Sequence, residues 1–473
     1  MRRLWMAACA AALMLFIQRA APEAGDDSLG ACLAALRSQL PPQVKPATFD
    51  AQTRDVRDLR PMIDNAQRAQ PEFEVPIWDY LARRTDAQRV AQGRELMKRE
   101  AAALAAVERR HGVDAATTTA VFGVETDYGR VAGSVPVVEA TLARACLAPK
   151  STERKQHFFA ALWLLQEGVV RPDDFKGSWA GAFGMTQFMP GTFVRFMSDG
   201  DGSPPADIVR SVPDALATTA RYLRSLGWTD GFPWGVEVRV PAELVPLNAL
   251  ESDHGCLLDG KPSDKCRTVA RWSLSGVTRV DGTPLVRSEP GPGRLDPDTM
   301  TALLMPAGQP GPAWLVTPNY HALWRYNRAD AYALSIGQLS DALRGAPLQR
   351  VAWPTDDAGL SRAEFRELQG LLVARGHCAV RVDGAEGPRT SAAVREEESR
   401  LGWTQTGRGG AKLLAALRAD RTAPVACPPP GPSSAASGAS APPHEPSPAS
   451  APASAGLPAP PVVPPSGRAS APS

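Results

Sequence analysis

Apolar residues recur with the period of a helix along most of the first 340 or so positions, and the pattern changes character near residue 235. Thr85-Asp86-Ala87-Gln88 opens a run to Ala106 rich in Ala, Leu, Glu, Lys and Arg, which reads as one capped amphipathic helix. Asp114 is placed to cap the next helix, which carries Val121, Phe122, Val124 and Glu125. Glu153 to Glu167, with Phe158, Phe159, Leu162, Trp163 and Leu165, predicts a helix with a wide apolar face. Another is expected from Pro213 to Leu226, stopped by Gly227. Between Gly235 and Pro312 the pattern shortens to strand-like pieces, Val236 to Val240 and Thr278 to Val280, set among Gly and Pro turns. Helix returns from Tyr320 to Leu343. The fold class expected is α+β, predominantly α, with a strand-containing insertion at 235–312.

The two ends read differently. Arg2 and Arg3 precede a nearly unbroken apolar run from Leu4 to Ile17, which at about 14 residues is shorter than a membrane span. Residues 1–24 are therefore expected to be a signal peptide for export to the periplasm, with Ala20, Ala21 and Ala24 near the cleavage point. An uncleaved anchor is the alternative. Too few apolar residues precede Cys9 for a lipid anchor there, so no stable membrane insertion is expected after cleavage. Residues 28–345 form the expected main body, 346–360 a linker with two prolines, and 361–420 a compact unit. From 423 to 473 Pro, Ala and Ser dominate, a composition that cannot offset the entropy of ordering, so disorder is expected.

Composition narrows the function. A chain of 473 residues exceeds one ordinary domain. Its net charge of +2, from 52 basic and 50 acidic residues, argues against a nucleic-acid partner. Without Cys9, the remaining cysteines are Cys32, Cys146, Cys256, Cys266, Cys378 and Cys427. An even number in an exported chain favours disulfides, and closeness in sequence suggests Cys256 with Cys266 and Cys378 with Cys427, leaving Cys32 for Cys146. Buried free thiols are the alternative.

Two segments carry candidate chemistry. Val121-Phe-Gly-Val-Glu-Thr-Asp-Tyr-Gly129 sets Glu125 in apolar surroundings, where desolvation disfavours the carboxylate and leaves a proton to donate. Such a group suits general-acid cleavage of a glycosidic bond. Gly177-Ser-Trp-Ala-Gly-Ala-Phe-Gly-Met-Thr-Gln-Phe-Met-Pro-Gly191 is small, aromatic and amide-bearing, as the wall of a sugar groove would be. Glu125 in its own window is an ordinary helix-end glutamate as readily as an acid. Asp127, two residues on, does not share its helix face and is expected to cap or pair structurally.

With Thr317-Pro-Asn-Tyr-His-Ala-Leu-Trp-Arg-Tyr-Asn327 running into Asp330-Ala-Tyr-Ala-Leu334, these two segments make three blocks in order over residues 45 to 345. Together they resemble the lytic murein transglycosylase B family. The resemblance implies a lysozyme-like catalytic domain and a peptidoglycan lyase rather than a hydrolase. It implies that Glu125 is the single acid/base and that Ser178, Gln187, Tyr222, Asn319, Tyr320 and Tyr326 line the glycan groove. It implies glycan strands of peptidoglycan as the partner, no cofactor, and a monomer. A hydrolytic muramidase and a non-catalytic wall-binding scaffold are the competing readings. Asp199-Gly-Asp-Gly202 sits where family members often carry an EF-hand-like calcium loop, but Met197 and Ile208 would occupy its first and last ligand positions, so no metal is expected. The segment Thr141-Leu-Ala-Arg-Ala-Cys-Leu147 lacks the family's Tyr-Pro-Arg-Arg run, and Arg154 and Lys155 are the candidates to replace those basic residues in meeting peptide or lactyl carboxylates. Residues 361–420, through Leu368-Gln369, Val382-Asp-Gly384, Gly387 and Thr390, resemble a small three-helix peptidoglycan-binding domain.

Overall fold

The structure, a computed structural model, describes residues 29–68, 75–247, 255–286, 294–420 and 422–427. The expected signal at 1–24 and positions 428–473 of the expected tail lie outside the described residues. In chain order the main body begins with helices α1 (Leu29–Arg37), α2 (Pro46–Thr53), α3 (Arg60–Arg68), α4 (Ile77–Arg84), α5 (Ala87–Arg99) and α6 (Ala101–His111). It continues with α7 (Ala115–Thr126), α8 (Val137–Leu147), α9 (Thr152–Gln166), α10 (Pro190–Phe196) and α11 (Val212–Ser225). Short helices α12 (Cys256–Asp259) and α13 (Val269–Leu274) lie within the β-rich region, and α14 (Pro318–Asn327) and α15 (Asp330–Leu343) follow it. Side-chain oxygens of Asp86, Asp114, Ser151 and Ser211 accept backbone N–H groups at the starts of α5, α7, α9 and α11, satisfying donors that a helix N-terminus leaves open.

Two expected helices are interrupted. The run from Thr85 to Ala106 breaks at Glu100, which ends α5 and begins α6 with φ −98° and ψ 19°. The run from Tyr320 to Leu343 breaks at Arg328, which is left-handed at φ 46°. Neither break carries a Gly or Pro, so tertiary packing imposes both.

Two apolar clusters are the largest in the body. One joins Val121, Phe122 and Val124 of α7 to Leu216 and Leu223 of α11, Leu323 of α14 and Leu339 of α15. The other joins Leu36, Phe49, Leu142, Phe158, Leu162 and Leu164 to Phe183, Phe188 and Phe193. Met185, Tyr222 and Tyr326 pack against both, so they mark the seam between the cores. Cys32–Cys146, Cys256–Cys266 and Cys378–Cys427 are all disulfide-bonded, the pairing that spacing suggested.

Strands β1 (Val135–Pro136) and β2 (Lys176–Gly177) pair antiparallel beside α8. The others, β3 (Gly235–Arg239), β4 (Cys266–Thr268), β5 (Thr278–Arg279), β6 (Met300–Leu304) and β7 (Ala313–Val316), form one antiparallel sheet in the order β4-β6-β7-β3-β5. The sheet runs past residue 312, because its central strand β7 leads straight into α14. The stretch expected as a linker is pinned to this body: Glu237 accepts the backbone N–H groups of Arg350 and Val351, both at 2.8 Å, and Trp353 packs on Trp78 and Trp314.

The C-terminal unit comprises α16 (Arg362–Ala374), α17 (Pro388–Arg400) and α18 (Ala411–Ala419) around Phe365, Leu368, Leu372, Val394, Leu413 and Leu417. Ser361 and Glu364 start it with a capping box. The Gln369 amide closes the 383–385 turn, accepting from the backbone of Asp383 and Gly384 and donating to the Ala385 carbonyl. The observed class is the expected one, helix-rich with small sheets and a separate helical unit at the C-terminal side. No helix among the described residues is long and apolar enough to cross a membrane.

Candidate active site

α7 delivers Glu125. Every residue from Ala116 to Thr126 is buried, including Glu125, which is 2% exposed. Its Oε1 accepts the Tyr332 hydroxyl at 2.5 Å. Tyr332 is fully buried in α15, and its phenol is held well above its ordinary pKa by desolvation and then by the Glu125 charge, so it stays a donor. The Tyr326 ring stacks on Tyr332, with centroids 6.1 Å apart and planes 21° from parallel. The break at Arg328 makes this stacking possible, because it turns α15 back against α14.

The 177–190 segment packs beside the ends of α7 and α14. Thr126, next to Glu125, donates its hydroxyl to the Met185 carbonyl at 2.6 Å. Tyr326 donates to the Thr186 carbonyl at 2.8 Å, and its phenol is likewise raised by desolvation first and by Glu125 second. Tyr222 packs against Tyr326, Phe188 and Phe196, with ring centroids 5.2, 5.5 and 5.0 Å away. Gln187, left-handed at φ 51°, donates its side-chain amide to the Gly184 carbonyl at 2.9 Å and to the Ala132 carbonyl at 3.1 Å. Ser178 is fully buried, and its hydroxyl accepts the Ala182 N–H at 3.2 Å. Arg144 of α8 supports the same turn by donating to the Ala180 carbonyl at 3.1 Å.

The turn around Ser178 tolerates no side chain at its first residue. A Cβ on Gly177 would lie 1.9 Å from the Ala182 carbonyl oxygen, which is backbone and cannot step aside. Gly177→Ala is expected to cost about 3 kcal/mol in urea unfolding, as overpacking does, and to lower activity by displacing Ser178. An unchanged unfolding midpoint would show that the turn is not held as described.

Asn319 and Tyr320, expected from the resemblance to line the groove, lie at the start of α14. Both are fully buried. Asn319 Oδ1 accepts the Thr229 N–H at 2.7 Å, and its amide donates to the Thr229 and Phe232 carbonyls at 2.8 and 2.9 Å. Tyr320 donates to Asp330 at 2.8 Å and packs against Trp234. The Asn319 amide latches α14 to the 229–234 turn, and the Tyr320 hydroxyl ties α14 to the start of α15. Tyr332, which is not among the site residues expected from sequence, hydrogen-bonds Glu125. Its signal was being the lone aromatic residue of α15, six residues beyond Tyr326.

Asp127 caps α7 at φ 53° and pairs with Arg89, Arg130 and Arg362, the structural part expected of it. Asp199, Asp201 and Asp214 bring carboxylate oxygens within 4.8 Å of one another. Both Asp214 oxygens already accept backbone N–H groups, from Gly200 and Asp207, and Asp199 Oδ1 accepts three from residues 201 to 203. The loop is an Asx-type turn on these bonds.

Residues 30–341 match the family model of the transglycosylase SLT domain. The chain belongs to that family. Residues 361–417 match the model of a peptidoglycan binding domain. Among solved structures, SltB3 from Pseudomonas aeruginosa in complex with NAG-anhNAM-pentapeptide is 36% identical, with a TM-score of 0.61, and the match covers 83% of this chain and 99% of that one. The Escherichia coli lytic transglycosylase Slt35 in complex with bulgecin A is 21% identical, with a TM-score of 0.52, covering 68% and 94%, and it supports the fold alone. Membrane-bound lytic murein transglycosylase B of Escherichia coli (strain K12) is 26% identical over 243 residues, which are 50% of this chain. That match spans 59% of the curated relative's own length. The lysozyme-like catalytic fold implied by the sequence blocks is the fold of these transglycosylase neighbours.

Proposed function

We propose that the chain is a lytic transglycosylase that cleaves the MurNAc–GlcNAc β-1,4 bond of peptidoglycan, with Glu125 as its only acid/base. The observation that carries this reading is the buried Glu125 carboxyl, bonded to Tyr332 at the seam where all three sequence blocks meet. A carboxyl removed from water favours its neutral form and so holds a proton for the leaving group.

In the first step the Glu125 proton passes to the glycosidic oxygen, and the bond from that oxygen to the muramoyl anomeric carbon breaks. The carboxylate then takes the proton of the same sugar's C6 hydroxyl, whose oxygen bonds to the anomeric carbon. A 1,6-anhydromuramoyl end forms, Glu125 regains its proton, and no water is consumed. Because the nucleophile is tethered in the ring, a second carboxylate to activate water is unnecessary. Asp127, the nearest acid in sequence, is occupied by three arginines. The relative solved with an anhydro-muramoyl ligand is consistent with such a product.

Tyr332 holds Glu125 in place, and Tyr326 and Tyr222 offer rings beside it. Ser178 and Gln187 shape the opposite wall. Asn319 and Tyr320 are assigned to scaffolding rather than to sugar contact, because their polar atoms are already occupied. The C-terminal unit would hold the enzyme on the polymer and raise its effective concentration there. The site of action would be the periplasm, and the working unit a monomer.

Tyr332→Phe removes a hydrogen bond to an ionisable group. It is expected to lower kcat about 10- to 100-fold with KM little changed, read from steady-state kinetics. Wild-type kcat in that variant would remove Tyr332 from the account. The function itself is tested by digesting purified sacculi and treating the products with borohydride. Ends that resist reduction are expected. Reducible muramic acid ends would make the enzyme a hydrolase, and no soluble product would leave a wall-binding protein.

A further inference from the structure

The C-terminal unit touches the catalytic body through charged groups that lead to Glu125. Arg362, the first residue of α16, is oriented by the Ser361–Glu364 capping box. Its guanidinium donates to Asp86 Oδ2 at 2.7 Å and lies 2.5 Å from Asp127 Oδ2. All three side chains are nearly buried, at 11%, 4% and 12% exposed. Asp86 is the N-cap of α5, and Asp127 is the C-cap of α7, two residues after Glu125. One arginine of the wall-binding unit therefore joins the ends of two helices in the catalytic body.

The backbone at this joint is strained. Asp127 and Tyr128 are both left-handed, at φ 53° and 60°, a region that a residue as bulky as tyrosine rarely occupies. Such strain persists where the surroundings over-determine it. Tyr128 is fixed by a hydrogen bond to the Arg89 carbonyl at 3.0 Å and by notches at Gly93 and Gly123, where a Cβ would lie 2.2 and 2.7 Å from its phenol. Asp127 is fixed by Arg89 and Arg130 from the body and by Arg362 from the other unit. Two further pairs cross the junction, Arg408 with Asp79 at 2.6 Å and Arg83 with Glu386 at 2.6 Å, but these reach α4 rather than α7.

We infer that Arg362 is a positioning residue for Glu125, so that the peptidoglycan-binding unit completes the active site as well as tethering it. Arg362 holds the C-cap of α7 in its strained form and keeps the last turn of that helix, with Glu125, in register with Tyr332. The inference rests on the proposed glycan cleavage by Glu125. A tether alone would change how the enzyme holds insoluble wall, whereas a positioning role changes turnover on any substrate.

The test uses the full chain and soluble, peptide-stripped glycan strands, with binding to sacculi measured separately. Arg362→Met is expected to lower kcat about tenfold with KM unchanged, since small misplacements of a reacting group carry such costs. Arg362→Lys, which keeps the charge but loses the two-pronged geometry, should fall between Arg362→Met and wild type. Arg408→Met breaks the junction away from α7 and should keep wild-type kcat. Wild-type kcat in Arg362→Met overturns the inference, whatever happens to sacculus binding. An equal loss of kcat in Arg408→Met overturns it too, because docking in general would then be responsible. Should Arg362→Met fail to fold, Arg362→Lys decides alone: a severalfold lower kcat supports the inference, and wild-type kcat refutes it. Failure of the wild-type enzyme to cut these strands would instead count against the proposed function.

Discussion

Glu125→Gln is expected to lower turnover by about 10³-fold or more while leaving the fold intact. The substitution keeps the shape and the apolar contacts of α7, and the amide oxygen can still accept the Tyr332 hydroxyl. On the proposed mechanism, what it removes is the proton for the leaving group and the base for the C6 hydroxyl. In the proposed reaction both steps use the same carboxyl, so neither should proceed at its catalysed rate. Unfolding midpoints of the variant and wild type should agree closely. Substrate binding should survive, because the rings and amides proposed to line the groove are untouched. A variant retaining a tenth of wild-type kcat would show that another group supplies the proton.

The second large effect concerns stability. Cys32 and Cys146 tie α1 to the end of α8 across 114 residues, a loop that contains the whole of α7 and Glu125. Closing so long a loop removes much of the unfolded chain's freedom, and the chain-entropy model values it at roughly 4 to 5 kcal/mol. The double variant Cys32→Ala with Cys146→Ala is expected to lose about that much in urea unfolding, a large part of the stability of an ordinary domain. The pair Cys256–Cys266 closes only 10 residues, and its removal should cost about 3 kcal/mol at most. Equal losses from the two removals would contradict the loop-length argument.

Much of the active site was legible because its parts are local. Asp114 as a cap and the apolar run before Glu125 define α7 without reference to the rest of the chain. The helices expected from Glu153 and from Pro213 could be read in the same way, from their apolar spacing. What escaped was set by tertiary contacts. Arg328 and Glu100 interrupt helices at residues with no breaker character, so nothing local announces the turns. The turn at Arg328 in particular brings Tyr326 and Tyr332 face to face. A motif can say that Asn319 and Tyr320 matter, but not whether they face sugar or the 229–234 turn. The structure places them inward. Arg362 is 276 residues from Asp86, and each alone looks like a surface charge.

In the proposed reaction Glu125 works without a second carboxylate because the substrate's own C6 hydroxyl is the nucleophile. Digestion in water enriched in oxygen-18, followed by mass spectrometry of the newly formed muramoyl ends, tests it directly. Anhydro ends that carry no oxygen-18 are expected. One heavy oxygen at each new anomeric carbon would mean that water attacks, and the single-carboxyl mechanism would be wrong.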